Sequence, residues 1–189
     1  RGVLDPWLGE PRRVLKKGRV SLGYRLLSEG PPAVPMRLKI EVNSREHFSV
    51  FGLQERPFTV TSRWYAGSTR IKTFHRDELL GTKLRALYQR KKGRDLFDIW
   101  AAQADGKVDS TRVVQCFLEY LNQSGLRVSR AEFEANLAAK LVDPVFAQDV
   151  TPLLGPGVAW DLEDAARYVQ RELFVRLPGS PWKGADSES

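Results

Sequence analysis

The stretch Glu78-Leu79-Leu80-Gly81-Thr82-Lys83-Leu84-Arg85-Ala86-Leu87-Tyr88-Gln89-Arg90, continued after Lys91 and Lys92 by Gly93-Arg94-Asp95-Leu96-Phe97-Asp98-Ile99-Trp100, decides how this 189-residue chain is read. Leu79, Leu80, Leu84, Leu87 and Tyr88 recur at the spacing of one helix face. Asp77 stands where that helix should start and Gly93 where it should end. Lys83 falls between Leu79 and Leu87, inside the apolar stripe. Arg90 and Arg94 line up with it if the helix runs that far, while Arg85 and Lys92 point away. Burying an ammonium is costly without a partner, so Lys83 should face an anion, a carboxylate or a phosphate. The other reading is a lysine at the stripe's edge that lays its stem on leucines and reaches water. Asp95 occupies the position of an N-cap for the next helix, and Asp98, three residues on, that of a capping box. Capping explains both; a further role for Asp95 would be to orient Lys83.

Upstream of this stretch the period is two. Val20, Leu22, Tyr24 and Leu26 alternate through Arg19 to Leu27, and a turn at Gly30-Pro31-Pro32 follows. Alternation resumes with Met36, Leu38, Ile40 and Val42 on one face. Strand geometry puts Lys39, Glu41 and Asn43 together on the other. A carboxylate held on a rigid strand can serve as a magnesium ligand; the plainer reading is a half-buried strand with its polar face in water. Shorter strand-like pieces lie around Phe58 to Ser62 and Thr69 to Phe74. Downstream, helices are expected from about Leu96, over Thr111 to Gln123, over Arg130 to Leu141, and over Leu162 to Leu177 with Asp161 as N-cap. The plan is strands first and helices after, an α+β or mixed α/β chain. Residues 1–75 form a sheet region, 76–177 a helical region, and 178–189, rich in Gly, Ser and Pro, a flexible tail.

The 42% hydrophobic content suffices for a core, and a formal charge of +7 suits a partner that carries phosphates. Cys116 is the single cysteine, so no internal disulfide forms, which fits a reducing compartment. No window reaches the roughly 18 apolar residues of a membrane span. A soluble, cytoplasmic protein is expected. The chain opens on Arg1 and its one methionine is Met36, as in a fragment or processed chain. Walker, G-x-G-x-x-G and G-x-S-x-G motifs are missing. His47 and His75 have no cysteine partners at zinc spacing, and Cys116 reads as helix core. Trp64 and Tyr65 could stack on a base or serve as core.

The stretch Met36-Arg37-Leu38-Lys39-Ile40-Glu41-Val42-Asn43-Ser44-Arg45-Glu46 and the longer stretch from Glu78 to Trp100 together resemble the later motifs of the AbiEii/AbiGii toxin-like nucleotidyltransferases, of the minimal nucleotidyltransferase superfamily. The resemblance implies a partial nucleotidyltransferase sheet followed by helices. It also implies Mg²⁺-dependent transfer of a nucleotide from a nucleoside triphosphate to an acceptor RNA such as tRNA. Membership of a toxin–antitoxin or phage-defence pair, with a cognate antitoxin as partner, comes with it. Glu41 matches the third carboxylate of the metal site, Lys83 the family's lysine and Asp95 the acidic residue after it, in contact with nucleotide. Lys39 joins Lys83 in nucleotide binding, and Arg90 and Arg94 extend a basic surface toward the RNA.

The family pattern begins with a Gly-Ser-like or Gly-Gly-like turn and an Asp-x-Asp pair. Arg1 to Gly30 contain no match, and Asp5 stands alone there. That segment is expected before Arg1, and the chain as it stands is expected to transfer no nucleotide, because Glu41 cannot hold the metal and triphosphate by itself. A non-catalytic remnant that binds RNA or a protein partner is the competing reading; a separate polypeptide supplying the missing half is a third. The catalytic reading requires Glu41 and Lys83 to converge on one cleft.

Overall fold

The computed structural model describes residues 4–16, 18–43, 47–63 and 65–184. Ser44, Arg45 and Glu46 of the first family stretch, Trp64, and residues 185–189 of the expected tail lie outside them. The chain divides into two compact units, residues 1–48 and 49–189.

In the first unit a short helix α1 (Asp5–Leu8) precedes strands β1 (Arg12–Lys16), β2 (Arg19–Leu27) and β3 (Pro35–Asn43). They form an antiparallel sheet in the order β1-β2-β3. The register pairs Val20 with Val42, Leu22 with Ile40, Tyr24 with Leu38 and Leu26 with Met36, so the two alternating apolar rows share one face. The polar rows share the other. Gly18, with φ 77°, allows the tight connection from Lys16 to Arg19. The five residues of β1, three of them basic, carry too little alternation to be read as a strand without this pairing.

The second unit opens with the hairpin β4 (Leu53–Thr61) and β5 (Ala66–Phe74), paired from Leu53↔Phe74 to Thr61↔Ala66. The switch to helix falls at His75, and the helices are α2 (Arg76–Gln89), α3 (Gly93–Ala102), α4 (Ser110–Gln123), α5 (Arg130–Leu141), α6 (Pro144–Gln148) and α7 (Leu162–Glu172). Among the described residues five antiparallel strands, followed by these helices, make the chain α+β. Leu80, Leu84, Leu87, Leu96, Ile99, Phe117, Phe133 and Phe174 build the helical core. The rings of Phe133 and Phe174 lie 4.3 Å apart. Among the described residues no helix is long and apolar enough to cross a membrane.

Two glycines set how closely helices approach. A Cβ on Gly81 would stand 2.5 Å from Cys116 Cβ and 2.9 Å from the Val113 carbonyl, so α2 and α4 cross there without room for a side chain. A Cβ on Gly93 would meet the Phe146 carbonyl oxygen at 2.3 Å. Gly93 therefore opens α3 where the sequence suggested that it closes α2. Cys116 is buried in the core, and burial pushes its thiol up to about 12, with the charge of Glu78 adding to the shift.

Several helix ends differ from the sequence expectation. The N-cap of α2 is His75, whose Nδ1 accepts from the Asp77 N–H at 3.3 Å. Asp77 lies inside the first turn, buried, 3.1 Å from Arg112 Nε. Asp161 caps α7 as expected, but the helix stops at Glu172 and gives way to a tighter turn over Phe174–Arg176. Residues 178–184 of the expected flexible tail are tied to α5. The Arg130 N–H donates to the Pro178 carbonyl at 2.7 Å, and the Trp182 N–H to Glu134 Oε2 at 2.7 Å.

Candidate functional site

The expected site residues are divided between the two units. Lys39 and Glu41 stand on β3 in the first; Lys83, Arg90, Arg94 and Asp95 stand on or beside α2 and α3 in the second.

On β3, Glu41 Oε1 lies 2.9 Å from Lys39 Nζ and 3.2 Å from Arg19 Nη1. Arg19 opposes Asn43, and Ser21 opposes Glu41, so all these side chains share the polar face. The hydrogen bond from Lys39, joined by the charges of Lys39 and Arg19, holds the Glu41 carboxyl below its ordinary range. Glu41 is thus ionised and bridged between two cations. Octahedral Mg²⁺ takes several hard oxygens. Among the described residues no group of three or more Asp, Glu, His or Cys side chains is placed to hold a metal ion. The described donors therefore do not make a Mg²⁺ site by themselves.

The second part of the site is the corner between α2 and α3. Leu79 is 42% exposed, so the apolar stripe of α2 ends near it and Lys83 sits on the boundary. Lys83 Nζ lies 2.6 Å from Asp98 Oδ2 and 3.8 Å from Asp95 Oδ1, with 39% of its side chain exposed. Both sequence readings hold in part: the lysine faces carboxylates and also reaches water. Asp95 is completely buried and receives the Arg90 fork, Nε to Oδ2 at 2.7 Å and Nη2 to Oδ1 at 2.7 Å. Such bidentate, charge-assisted pairs are among the stronger polar contacts in proteins.

Asp95 is consequently not an N-cap. Helix α3 begins at Gly93 with Lys92 at the cap position and no side-chain cap bond of its own. Its first turn is satisfied from outside: Asp149 Oδ2 accepts from the Arg94 N–H at 3.2 Å and from Arg94 Nε at 3.1 Å. Asp98, which no longer has a capping role, turns to Lys83. Helix α2 stops at Gln89 and Arg90 is extended, so Arg90 and Arg94 do not continue the Lys83 stripe. Arg90 still reaches the Lys83 cluster, through Asp95. Arg94 belongs to the separate pair with Asp149.

Two buried charges went unread in the sequence. Glu78 accepts from Val50 N at 2.8 Å, Phe51 N at 2.9 Å, Ser49 Oγ at 2.9 Å and Tyr120 Oη at 2.8 Å. Burial pulls its pKa upward, but the bonds from Phe51, Val50, Tyr120 and Ser49 outweigh that and leave it lowered. It fastens the segment before β4 to α2 and α4. Lys140 is buried and donates to the Leu87 and Tyr88 carbonyls at the end of α2. Burial lowers its pKa to about 8 against the opposing pull of Asp95. Composition offers no signal for either, because their partners, backbone groups and for Glu78 also two hydroxyls, are distant in sequence.

A lysine wired to two carboxylates at the corner of α2 and α3 is an arrangement suited to handling an anionic ligand. The chain matches the family described as Nucleotidyl transferase AbiEii toxin, Type IV TA system, over residues 8–168, and it belongs to that family. No curated protein and no solved structure matches it.

Proposed function

We propose that this chain serves the transfer of a nucleotide from a nucleoside triphosphate to an acceptor RNA, with tRNA as the acceptor that the family likeness implies. The observation that carries the reading is the Lys83 ammonium, half-exposed and held between Asp98 and the fully buried Asp95. A cation fixed in this way needs little reorganisation to meet charge developing on a phosphate. Lys83 neutralises the triphosphate, displacing Asp98 as it does so; a part for Lys39 in nucleotide binding rests on the family likeness. Asp95 orients Lys83 and, through Arg90, the surface beside it; the edges of Arg90 and Arg94 left free by their carboxylates face the RNA. Glu41 as a ligand of Mg²⁺ rests on the family likeness alone, since its own neighbours are cations. A cognate antitoxin is the protein partner that a toxin–antitoxin family implies.

Incubation with labelled nucleoside triphosphate, tRNA and Mg²⁺ tests the reading. In a protein that also carries the Asp-x-Asp segment, Lys83→Ala should lower incorporation about 100-fold, the usual scale for removing one preorganised stabilising group. Unchanged turnover in Lys83→Ala or in Glu41→Ala would remove that residue from the mechanism. The cationic surroundings of Glu41 favour a second reading, a non-catalytic module of the same fold that binds RNA or a partner. No incorporation even with the Asp-x-Asp segment supplied, with RNA binding intact, selects it.

A further inference from the structure

We infer that the polar face of the β1-β2-β3 sheet is a binding surface for the phosphates of a single-stranded nucleic acid, centred on Arg12, Arg25 and Arg37. By register this face carries Arg12 and Lys16 from β1, Arg19 and Arg25 from β2, and Arg37 and Lys39 from β3, with Glu41 as its one carboxylate among the described residues. Glu41 is engaged by Arg19 and Lys39. Among the described residues Arg12, Lys16, Arg25 and Arg37 have no acidic partner.

Two features point to an anionic ligand and not merely to a solvated face. Arg25 and Arg37 stand directly opposite one another in the register. Like charges in that position destabilise a strand pair unless an anion lies between them. Beside them Gly23, in the middle of β2 and opposite Arg12, leaves the sheet without a side chain. Glycine inside a strand weakens it and marks places where a ligand comes close to the backbone. The result is a depression of about 120 Å³ lined by Arg12, Val14, Ser21, Gly23, Arg25 and Arg37. Three of its six lining residues are arginines, beside Gly23 and the Ser21 hydroxyl, the donor set that recognises phosphate oxygens.

The occupant is a strand and not an isolated nucleotide because of the spread of charge. From Arg19 to Arg25 along β2 is about 20 Å at the ordinary strand rise, which accommodates several consecutive phosphates. The row next to Gly23 holds Ser21 and Glu41, so a strand seated in the depression runs past that carboxylate. This assignment goes beyond the transfer reading, and its readout is equilibrium binding, which does not depend on turnover.

The test is fluorescence anisotropy of a labelled single-stranded RNA oligonucleotide with the full chain, titrated with salt. Arg12→Gln, Arg25→Gln and Arg37→Gln should each weaken binding about fivefold at roughly 0.1 M salt and reduce the log–log salt slope by about 0.7. Arg13→Gln removes the same charge from the opposite face of β1 and should leave both quantities near wild type. Retained affinity in the triple variant, or an equal loss in Arg13→Gln, overturns the proposal. Adenosine triphosphate is the second probe. Triphosphate binding that depends on the same arginines, with no RNA binding, overturns the strand assignment in favour of a nucleotide. Circular dichroism of the variants separates loss of binding from loss of fold.

Discussion

The sheet unit and the helical unit treat charge in opposite ways. In the helical unit the buried carboxylates are matched: Asp77 with Arg112, Asp95 with Arg90 and Lys83, and Glu78 with two backbone N–H groups and two hydroxyls. In the sheet unit the cations outnumber the carboxylates, and Arg25 faces Arg37 with nothing acidic between them among the described residues. A charge that is buried and saturated holds a fold together, because removing its partner leaves a desolvated ion. A charge that is exposed and unmatched contributes little to folding and is available to a ligand. Lys83 stands between these cases, with one carboxylate buried beneath it and one as exposed as itself.

The largest effect should come from Glu78. Glu78→Ala leaves Val50 N, Phe51 N and Tyr120 Oη without their acceptor, and should lower unfolding free energy by about 3–5 kcal/mol in urea titrations. Its pKa is lowered in the folded chain, so its contribution is present above the ordinary carboxylate range. That contribution is lost as pH falls through the folded value. Wild type should therefore lose urea stability below about pH 4.5 more steeply than Glu78→Gln. A flat comparison would mean that the carboxylate is not the anchor.

Next in size is the contrast inside the Lys83 cluster. Arg90→Ala strips the bidentate partner from a fully buried Asp95 and should cost about 3 kcal/mol. Lys83→Ala removes a half-exposed ammonium and should cost about 1 kcal/mol or less. Reversal of that order would make Lys83 a structural residue and take away the main support for its role in transfer. The smallest effect belongs to the sheet. Arg25→Gln and Arg37→Gln should each change stability by no more than about 0.5 kcal/mol, or raise it slightly by relieving the facing charges. A substantial loss would show that these arginines belong to the structural wiring after all.

Much of the fold was legible because it depends on local periodicity. The bounds of β2 and of α5 in the structure are those read from alternation and from helical spacing. Asp161 caps its helix as its position suggested. The misreadings share one cause. Asp95 has the spacing of a cap, yet its carboxylate goes to Arg90, and α3 takes its outside cap from Asp149, 55 positions away from Arg94. Gly93 has the appearance of a stop signal, yet its small size answers to the Phe146 carbonyl. Local rules assign a residue to its nearest neighbours in sequence, and they fail where a distant group competes.

Family membership was likewise legible, since the Glu78–Trp100 motif and the β3 strand lie within the matched residues 8–168. The sequence by itself determined the alternating and helical periods, the apolar faces, the excess of positive charge and the family. Only the tertiary structure decided which charges are spent on other charges. Ion pairing depends on distances of a few ångströms between groups far apart along the chain. Periodicity says which way a side chain points, and the packing of other elements decides what it meets there.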